Sequence, residues 1–108
     1  MSFNVKSISV FERQAKRLMK KFPSLKKEIQ ELIKGLKEEP GKGASIGHNC
    51  YKIRLAIASK GKGKSTGARV ITHFVFKDDT VYLISIYDKS DIENLTDKEI
   101  LELIKLIP

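Results

Sequence analysis

Four cationic side chains lie at positions from which the strands of a β-sheet could direct them at one site. They are Lys52, Arg54, Arg69 and Lys89, and Tyr87 stands two residues before the last of them. Clustered like charges repel one another unless an anion binds between them, so this pattern predicts an anion site. Phosphate is the anion that we expect there, and RNA is the source of phosphate that we favour.

These residue types suit the cleavage of RNA, which carries its own nucleophile. Its 2′-hydroxyl can attack the adjacent phosphorus and expel the 5′-oxygen, if an enzyme holds it in line and moves the protons. Arg69 suits charge stabilisation, because a guanidinium binds phosphate oxygens bidentately and stays protonated. Lys52 and Lys89 are candidate acids or bases, and Tyr87 could donate a proton or stack on a base. The sequence alone does not rank these last three roles.

The charge of the whole chain points to the same kind of partner. Its 108 residues include 21 basic and 13 acidic side chains, which gives a net charge of +8. That balance predicts a nucleic-acid or anionic-surface partner, although it says nothing about the fold. The length suits one domain that spans residues 1–108.

Several classes of protein are disfavoured by what the sequence lacks. No stretch reaches the about 18 apolar residues of a membrane span, and the first residues lack the apolar core of a signal peptide. A single cysteine, Cys50, excludes an internal disulfide and a cysteine-rich zinc site. The carboxylates do not converge as a two-magnesium nuclease requires. We therefore expect a cytoplasmic protein with no membrane contact, no metal and no cofactor.

The first half of the chain predicts a short strand followed by two helices. The strand falls at residues 3–8, and Ser9 with Glu12 has the spacing of a capping box at the start of the first helix. Pro23 suits the first turn of the second helix, which ends before Pro40. Apolar residues recur at helical spacing in both segments, so the two helices should pair as a hairpin on the sheet.

The second half predicts three strands and a final helix, after a loop of small residues between Gly41 and Gly47. The strands fall at 50–58, 69–76 and 80–87. The middle one is apolar on both faces and is typical of a central strand. Thr96 and Glu99 predict a second capping box for the last helix. The predicted fold is an α+β domain, an N-terminal helical hairpin packed on a small antiparallel sheet with a C-terminal helix.

The connection SKGKGKSTG, residues 59–67, superficially resembles a nucleotide-binding P-loop. That motif requires a glycine five positions before Gly63, where Ala58 stands, and it leads into a helix rather than a strand. A basic loop that binds phosphate fits better, with Lys62 and Lys64 among its cations. The alternative is a solvated connection between strands.

Three segments carry a resemblance to a known family. They are CYKIRLA, GARVITHFVF and VYLISIYDKSDIENLT, in that order after the helical hairpin. This arrangement resembles the RelE/HigB ribonuclease toxins of bacterial type II toxin–antitoxin modules, from Ser9 to Leu106. The long GKGKS connection is similar to that of the HigB-like branch.

The resemblance implies a RelE-like fold and a toxin that cleaves mRNA in the A site of the 30S ribosomal subunit, held inactive by a cognate antitoxin protein. It places Lys52 and Arg54 at the family's paired basic residues, and Arg69 and Lys89 at its two later cations. Tyr87 matches a tyrosine of the HigB-like branch. RelE proper carries a tyrosine in its C-terminal helix, whereas residues 96–108 contain none.

The predicted site therefore has two parts. The catalytic residues are Arg54, Arg69, Tyr87 and Lys89, and the residues that hold RNA are Lys52, Lys62 and Lys64. No metal ligand is predicted.

Two other functions stay open. A toxin of the ParE branch shares this fold and poisons DNA gyrase, but that branch lacks the cations that this chain keeps. A non-catalytic RNA-binding domain would need the net charge alone. In that case Lys52 and Arg54 would be the solvent face of an ordinary amphipathic strand. His73 is expected on the sheet face, and Cys50 as a buried small apolar group.

Overall fold

The computed structural model describes residues 2–60, 67–92 and 94–108. These residues form three α-helices and one five-stranded sheet. The strands are β1 (Asn4–Ser7), β2 (Ala44–Gly47), β3 (Cys50–Leu55), β4 (Ala68–Val75) and β5 (Thr80–Asp88), and the helices are α1 (Ser9–Lys21), α2 (Leu25–Glu38) and α3 (Asp97–Ile104). Among the described residues, no helix is both long and apolar enough to cross a lipid bilayer.

The strands follow the order β1-β5-β4-β3-β2, so β4 is central as its apolar sequence predicted. β2 to β5 are antiparallel neighbours, whereas β1 pairs with β5 in parallel. The predicted antiparallel sheet thus has one parallel edge strand. α1 and α2 lead the chain from β1 to β2 at the opposite edge of the sheet. Three antiparallel steps from β2 to β5 then bring β5 beside β1 in the same direction.

The prediction of a loop from Gly41 to Gly47 is wrong for its second half, because Ala44–Gly47 forms β2. β2 pairs with β3 through a two-residue turn, His48-Asn49, in which both residues have positive φ angles of 55° and 56°. That geometry is the tight hairpin turn whose twist matches the flanking strands. β2 lacks the apolar alternation that identifies strands in a sequence.

The first predicted capping box is also wrong. Ser9 lies inside α1, and Ile8 is the N-cap residue without a side-chain cap. Ile8 is buried and its backbone N–H donates to the Leu83 carbonyl, so tertiary packing sets the start of the helix. Glu12 instead accepts a hydrogen bond of 2.6 Å from the Ser7 hydroxyl.

The remaining helix ends give one correction and one confirmation. Pro23 precedes α2, which begins at Leu25, so it is not in the first helical turn. The second capping box is present as predicted. Glu99 N–H donates to Thr96 Oγ1 at 3.1 Å, and Thr96 N–H donates to Glu99 Oε1 at 2.9 Å.

The core lies between the helices and the sheet. The apolar stripes of α1 and α2 are buried in one cluster with β3, β4 and β5, and Ile100 of α3 joins that cluster. α1 also closes the edge of β5. β1 pairs with β5 only as far as Leu83, and beyond it the Gln14 side-chain oxygen accepts hydrogen bonds from Ile86 N–H at 3.0 Å and Ser85 Oγ at 3.3 Å. A backbone donor that the sheet leaves unpaired is thereby satisfied.

Candidate active site

Three of the predicted catalytic residues lie side by side across the sheet. Arg54 on β3 is directly opposite Arg69 on β4, and Arg69 is directly opposite Tyr87 on β5. Directly opposed residues of antiparallel strands point to the same face, with Cβ atoms about 5 Å apart. The register therefore brings two guanidinium groups and a phenol into one row, which we call the Arg–Arg–Tyr row.

The members of the row differ in exposure. Arg54 is exposed, whereas Arg69 is 4% exposed and Tyr87 is 5% exposed. The Arg69 guanidinium donates to the Ala68 carbonyl oxygen at 3.2 Å, so part of its hydrogen-bonding capacity holds the side chain in place. The row thus places an accessible cation, Arg54, beside a buried one, Arg69.

The hydroxyl of Tyr87 is a buried polar group that lacks hydrogen bonds among the described residues. An unsatisfied buried hydroxyl costs about 1–3 kcal/mol. Burial raises the pKa of the Tyr87 hydroxyl, and the positive charge of Arg69 opposes that shift in part. The group is therefore a neutral phenol with an unused donor and acceptor.

Lys52 lies on the same face as Arg54, two residues earlier on β3. Its ammonium donates to Asn94 Oδ1 at 2.8 Å, which connects the sheet to the segment before α3. Lys52 and Tyr87 also line a common cleft of about 140 Å³ under that segment. The predicted RNA-holding lysine is thus adjacent to the Arg–Arg–Tyr row.

Lys89 follows the end of β5 and is half-buried. Its backbone N–H donates to the carbonyl of Gly67, two residues before Arg69, at 3.0 Å. Lys89 therefore lies at the end of the sheet where β4 begins. The two other predicted RNA contacts, Lys62 and Lys64, lie outside the described residues.

An ion pair joins Lys60, at the start of the glycine-rich connection, to Asp88 at the end of β5. Lys60 Nζ is 2.6 Å from Asp88 Oδ1, and their side chains are 18% and 1% exposed. Asp88 Oδ1 also accepts from Ser90 N–H at 3.0 Å and Ser90 Oγ at 2.6 Å. Burial raises the pKa of Asp88, but the hydrogen bonds from Lys60 and Ser90 outweigh burial and hold the pKa below its usual range.

The residues just before Lys60 are held by the first turn of α2. Ala58 N–H donates to Glu28 Oε2 at 2.7 Å, and Ser59 N–H donates to Ser24 Oγ at 2.9 Å. Lys60 itself lies over the Phe22 ring, 5.6 Å from its centroid. The connection therefore leaves β3 along a fixed path, and Lys60 is held by contacts with Asp88 and Phe22.

Cys50 and His73 lie at the other end of the strands from the row. They are cross-strand partners, with Cys50 Sγ 3.4 Å from His73 Nδ1. Burial raises the pKa of the Cys50 thiol to about 11 and lowers the pKa of His73. Both are thus neutral near pH 7, as expected for a buried small side chain and a sheet-face histidine. Among the described residues, no three His, Cys, Asp or Glu side chains are grouped to hold a metal ion.

Comparisons with known proteins identify the family of this chain and its fold. The family model for the RelE toxin of the RelE/RelB toxin–antitoxin system matches residues 4–107. The chain belongs to the RelE toxin family. A mutant of the E. coli toxin RelE in the free state has a similar structure, with a TM-score of 0.60 over all of both chains. Its sequence is 18% identical, so this likeness shows the fold alone.

Membership of the RelE family confirms several predictions. The α+β fold with a helical hairpin and a C-terminal helix is the RelE fold. The protein is the toxin of a toxin–antitoxin system, and its family pairs each toxin with an antitoxin. Toxins of this family are generally ribonucleases.

The sequence analysis did not predict the contacts of two residues of this RelE-family toxin, Asn94 and Asp88. Asn94 bonds Lys52, and Asp88 bonds Lys60, but each partner is far away in the sequence. Asp88 had one available signal, since an acidic residue at the buried end of an apolar strand needs a cation nearby. Asn94 had none, because it lies in an irregular segment that no periodic pattern marks.

Proposed function

We propose that this toxin is a ribosome-dependent, metal-independent mRNA endoribonuclease that inhibits translation. In the proposed reaction the 2′-hydroxyl of one nucleotide attacks the adjacent phosphorus and the 5′-oxygen leaves. The observation that carries the proposal is the Arg–Arg–Tyr row, in which two guanidinium groups and a phenol share one face of the sheet. Membership of a family whose toxins are generally ribonucleases supports it.

In this proposal the two arginines stabilise the charge that develops on the phosphoryl oxygens. Arg54 is exposed and makes the first contact with the phosphate. Arg69 lies beside it and is buried, in an environment where a fixed charge acts more strongly than in water. Because they are opposite one another, they supply two donor groups to one phosphate, and the charge on both non-bridging oxygens is stabilised.

We propose that Tyr87 and Lys89 transfer the protons. Tyr87 is a neutral phenol whose hydroxyl is free of hydrogen-bond partners among the described residues, so it can donate to a leaving oxygen. Lys89 follows two residues later, at the same end of the sheet. Lys52, Lys62 and Lys64 would hold the RNA backbone.

The ribosome is part of the proposal because this set contains no strong base. Weak acid–base groups lower the activation barrier only in part. If the ribosome orients the 2′-oxygen for attack, that orientation can supply much of the remaining reduction. We therefore propose that the toxin acts on mRNA in the A site of the 30S subunit, in the cytoplasm. We also propose that it belongs to the HigB-like branch, with its tyrosine on β5 instead of the last helix, and that a cognate antitoxin inhibits it.

A cell-free translation reaction tests the proposal. We expect wild-type protein to cut a defined mRNA within its open reading frame and to leave a cyclic or opened phosphate at the new 3′ end. The Arg69→Ala plus Lys89→Ala variant should cut at least about 100-fold more slowly, since each charge-stabilising donor contributes on that order. Lys34→Ala, an exposed cation on α2, is the matched control and should cut at the wild-type rate.

Three results would contradict the proposal. Intact mRNA in the presence of ribosomes and wild-type protein would exclude the activity. Binding to ribosomes without strand scission would favour a non-catalytic RNA-binding role. Accumulation of gyrase–DNA cleavage complexes with intact mRNA would favour the ParE-like alternative.

A further inference from the structure

Asp88 is the last residue of β5 and lies between Tyr87 and Lys89, the two residues to which we assign the proton transfers. Its side chain is 1% exposed, and a buried carboxylate needs hydrogen bonds or a cation. Asp88 Oδ1 accepts from Lys60 Nζ at 2.6 Å, from Ser90 N–H at 3.0 Å and from Ser90 Oγ at 2.6 Å. The Ser90 hydroxyl also accepts from Lys60 Nζ at 3.1 Å, so the three side chains form a closed network.

This network fixes the turn that follows β5. The backbone carbonyl of Asp88 accepts from Asp91 N–H at 3.0 Å, which closes the turn. An aspartate that opens a turn and accepts the N–H of the residue two positions later stabilises that turn. Lys89 is the second residue of the turn, and its own N–H donates to the Gly67 carbonyl at 3.0 Å. The backbone of Lys89 is therefore held by the end of the sheet on one side and by the turn on the other.

Stability alone does not account for the charges of this network. Removal of one partner of a buried ion pair is costly, but an apolar pair of similar volume often gives a protein equal or greater stability. An apolar pair would supply no acceptor for the Ser90 N–H, and so it would not fix the turn. The proposed chemistry depends on such fixed geometry, because misplacing a reacting group by about 1 Å can slow a reaction on the order of 100-fold.

We propose that Asp88 is a positioning residue, which holds Lys89 at the place of proton transfer through the turn that it forms with Ser90. Asp88 follows Tyr87 directly in the strand, so its side chain points to the opposite face of the sheet from the Arg–Arg–Tyr row. It therefore acts through its neighbours in the chain and not on the RNA. This inference rests on the proposed function, which assigns Lys89 its role.

Cleavage by variants of Asp88 in the cell-free translation reaction tests the inference. Asp88→Ala and Asp88→Asn both lose the charge that pairs with Lys60, but asparagine keeps a side-chain oxygen for the Ser90 N–H. We therefore expect kcat to fall at least about tenfold in Asp88→Ala and less than about threefold in Asp88→Asn, with KM unchanged in both. Asp78→Ala, which changes an exposed aspartate before the start of β5, is the matched control and should cleave at the wild-type rate.

A double variant separates positioning of Lys89 from support of the fold. If Asp88 acts through Lys89, Asp88→Ala should slow cleavage by less than about twofold in a Lys89→Ala background, because the side chain that it positions is gone. The same loss of kcat in both backgrounds would overturn the inference. Equal losses in Asp88→Ala and Asp88→Asn would also overturn it, since the charge and not the turn would then be what matters.

NMR relaxation of the backbone decides the inference if wild-type toxin cuts no mRNA, in which case the proposed function fails, or if Asp88→Ala does not fold. The amides of Lys89 and Ser90 should be as rigid as those of β5 in the wild type and in Asp88→Asn, measured by their heteronuclear NOE. A folded Asp88→Ala should lower both values. Low values in the wild type, or wild-type values in Asp88→Ala, would reject the positioning role.

Discussion

Arg54 and Arg69 lie directly opposite one another on β3 and β4, where two like charges destabilise an antiparallel pair. The sheet thus contains a repulsion that its own stability does not require. In the proposed function the phosphate of the RNA binds to both side chains and reduces this repulsion. The following predictions separate what such residues contribute to activity from what they contribute to stability.

The Arg54→Ala variant should lose activity without losing stability. Arg54 is exposed, and its removal relieves the repulsion with Arg69, so we expect the free energy of unfolding to stay equal or to rise by about 0.5 kcal/mol. Cleavage of mRNA should fall about 100-fold, because one phosphate-binding donor is gone. Urea denaturation and a cleavage assay on the same preparations measure the two effects. A variant that is destabilised by more than 1 kcal/mol would show that Arg54 supports the fold instead.

The Tyr87→Phe variant should be as stable as the wild type or more stable, by up to about 1 kcal/mol. The reason is that the change removes a buried hydroxyl that has no partner among the described residues, and it keeps the ring. Cleavage should nevertheless fall at least about tenfold, as expected when a general acid is lost. Tyr82→Phe, on the same strand at its other end, is the matched control and should cleave normally. Loss of stability in Tyr87→Phe would reveal a hydrogen bond to the hydroxyl.

The Lys60–Asp88 ion pair should stabilise the toxin near neutral pH. Breaking a buried pair leaves one charge without its partner, so Lys60→Met or Asp88→Asn should each lower the free energy of unfolding by about 3 kcal/mol. The double variant should lose less than the sum of the two, because neither charge is then left alone. Urea unfolding of the four proteins at pH 7 measures the coupling. Additive losses would show that the two side chains do not interact.

The same pair predicts how stability changes with pH. The folded protein holds the pKa of Asp88 below its usual range, so its contribution is complete above the ordinary aspartate pKa of about 3.9. It is then lost as the pH falls through the lower pKa of the folded state. Between pH 6 and pH 3 the wild type should therefore lose more stability than Asp88→Asn. Parallel curves for the two proteins would contradict this assignment.

Cys50 should resist thiol reagents in the native toxin. Burial raises the pKa of its thiol to about 11, so almost none of the reactive thiolate is present at pH 7.5. Ellman's reagent should react at least about 100-fold faster in 6 M guanidinium chloride than in native buffer. A fast native reaction would show that the β2–β3 end of the sheet opens frequently.

The sequence predicted the parts of the site that follow from alternation along a strand. Lys52 and Arg54 had to share a face because they are two residues apart, and the apolar β4 had to be central. Asp78-Asp79 is typical of a turn and stands between the segments that form β4 and β5, where Asp79 has a left-handed φ of 49°. Helix stripes and the second capping box were equally local signals.

The remaining features depend on contacts between distant parts of the chain. The register of Arg54 with Arg69 is set across a long connection, so no turn type fixes it in advance. The burial of Arg69 follows from no local pattern, and β1 pairs with β5 although α1, α2 and three strands separate the two in the sequence. Ile8 displaced the first predicted cap because its burial outweighs the preference of a serine for that position.

The connection between β3 and β4 begins and ends at fixed points. Lys60 is bonded to Asp88, and the Gly67 carbonyl accepts from the next residue, Lys89. Gly67 has no room for a side chain, because a Cβ atom there would collide with the Leu55 carbonyl oxygen. With both ends anchored on neighbouring residues of one strand, doubling the length of the connection costs only about 0.6 kcal/mol in closure entropy. The length and sequence of this segment can therefore change at little cost to the stability of the fold.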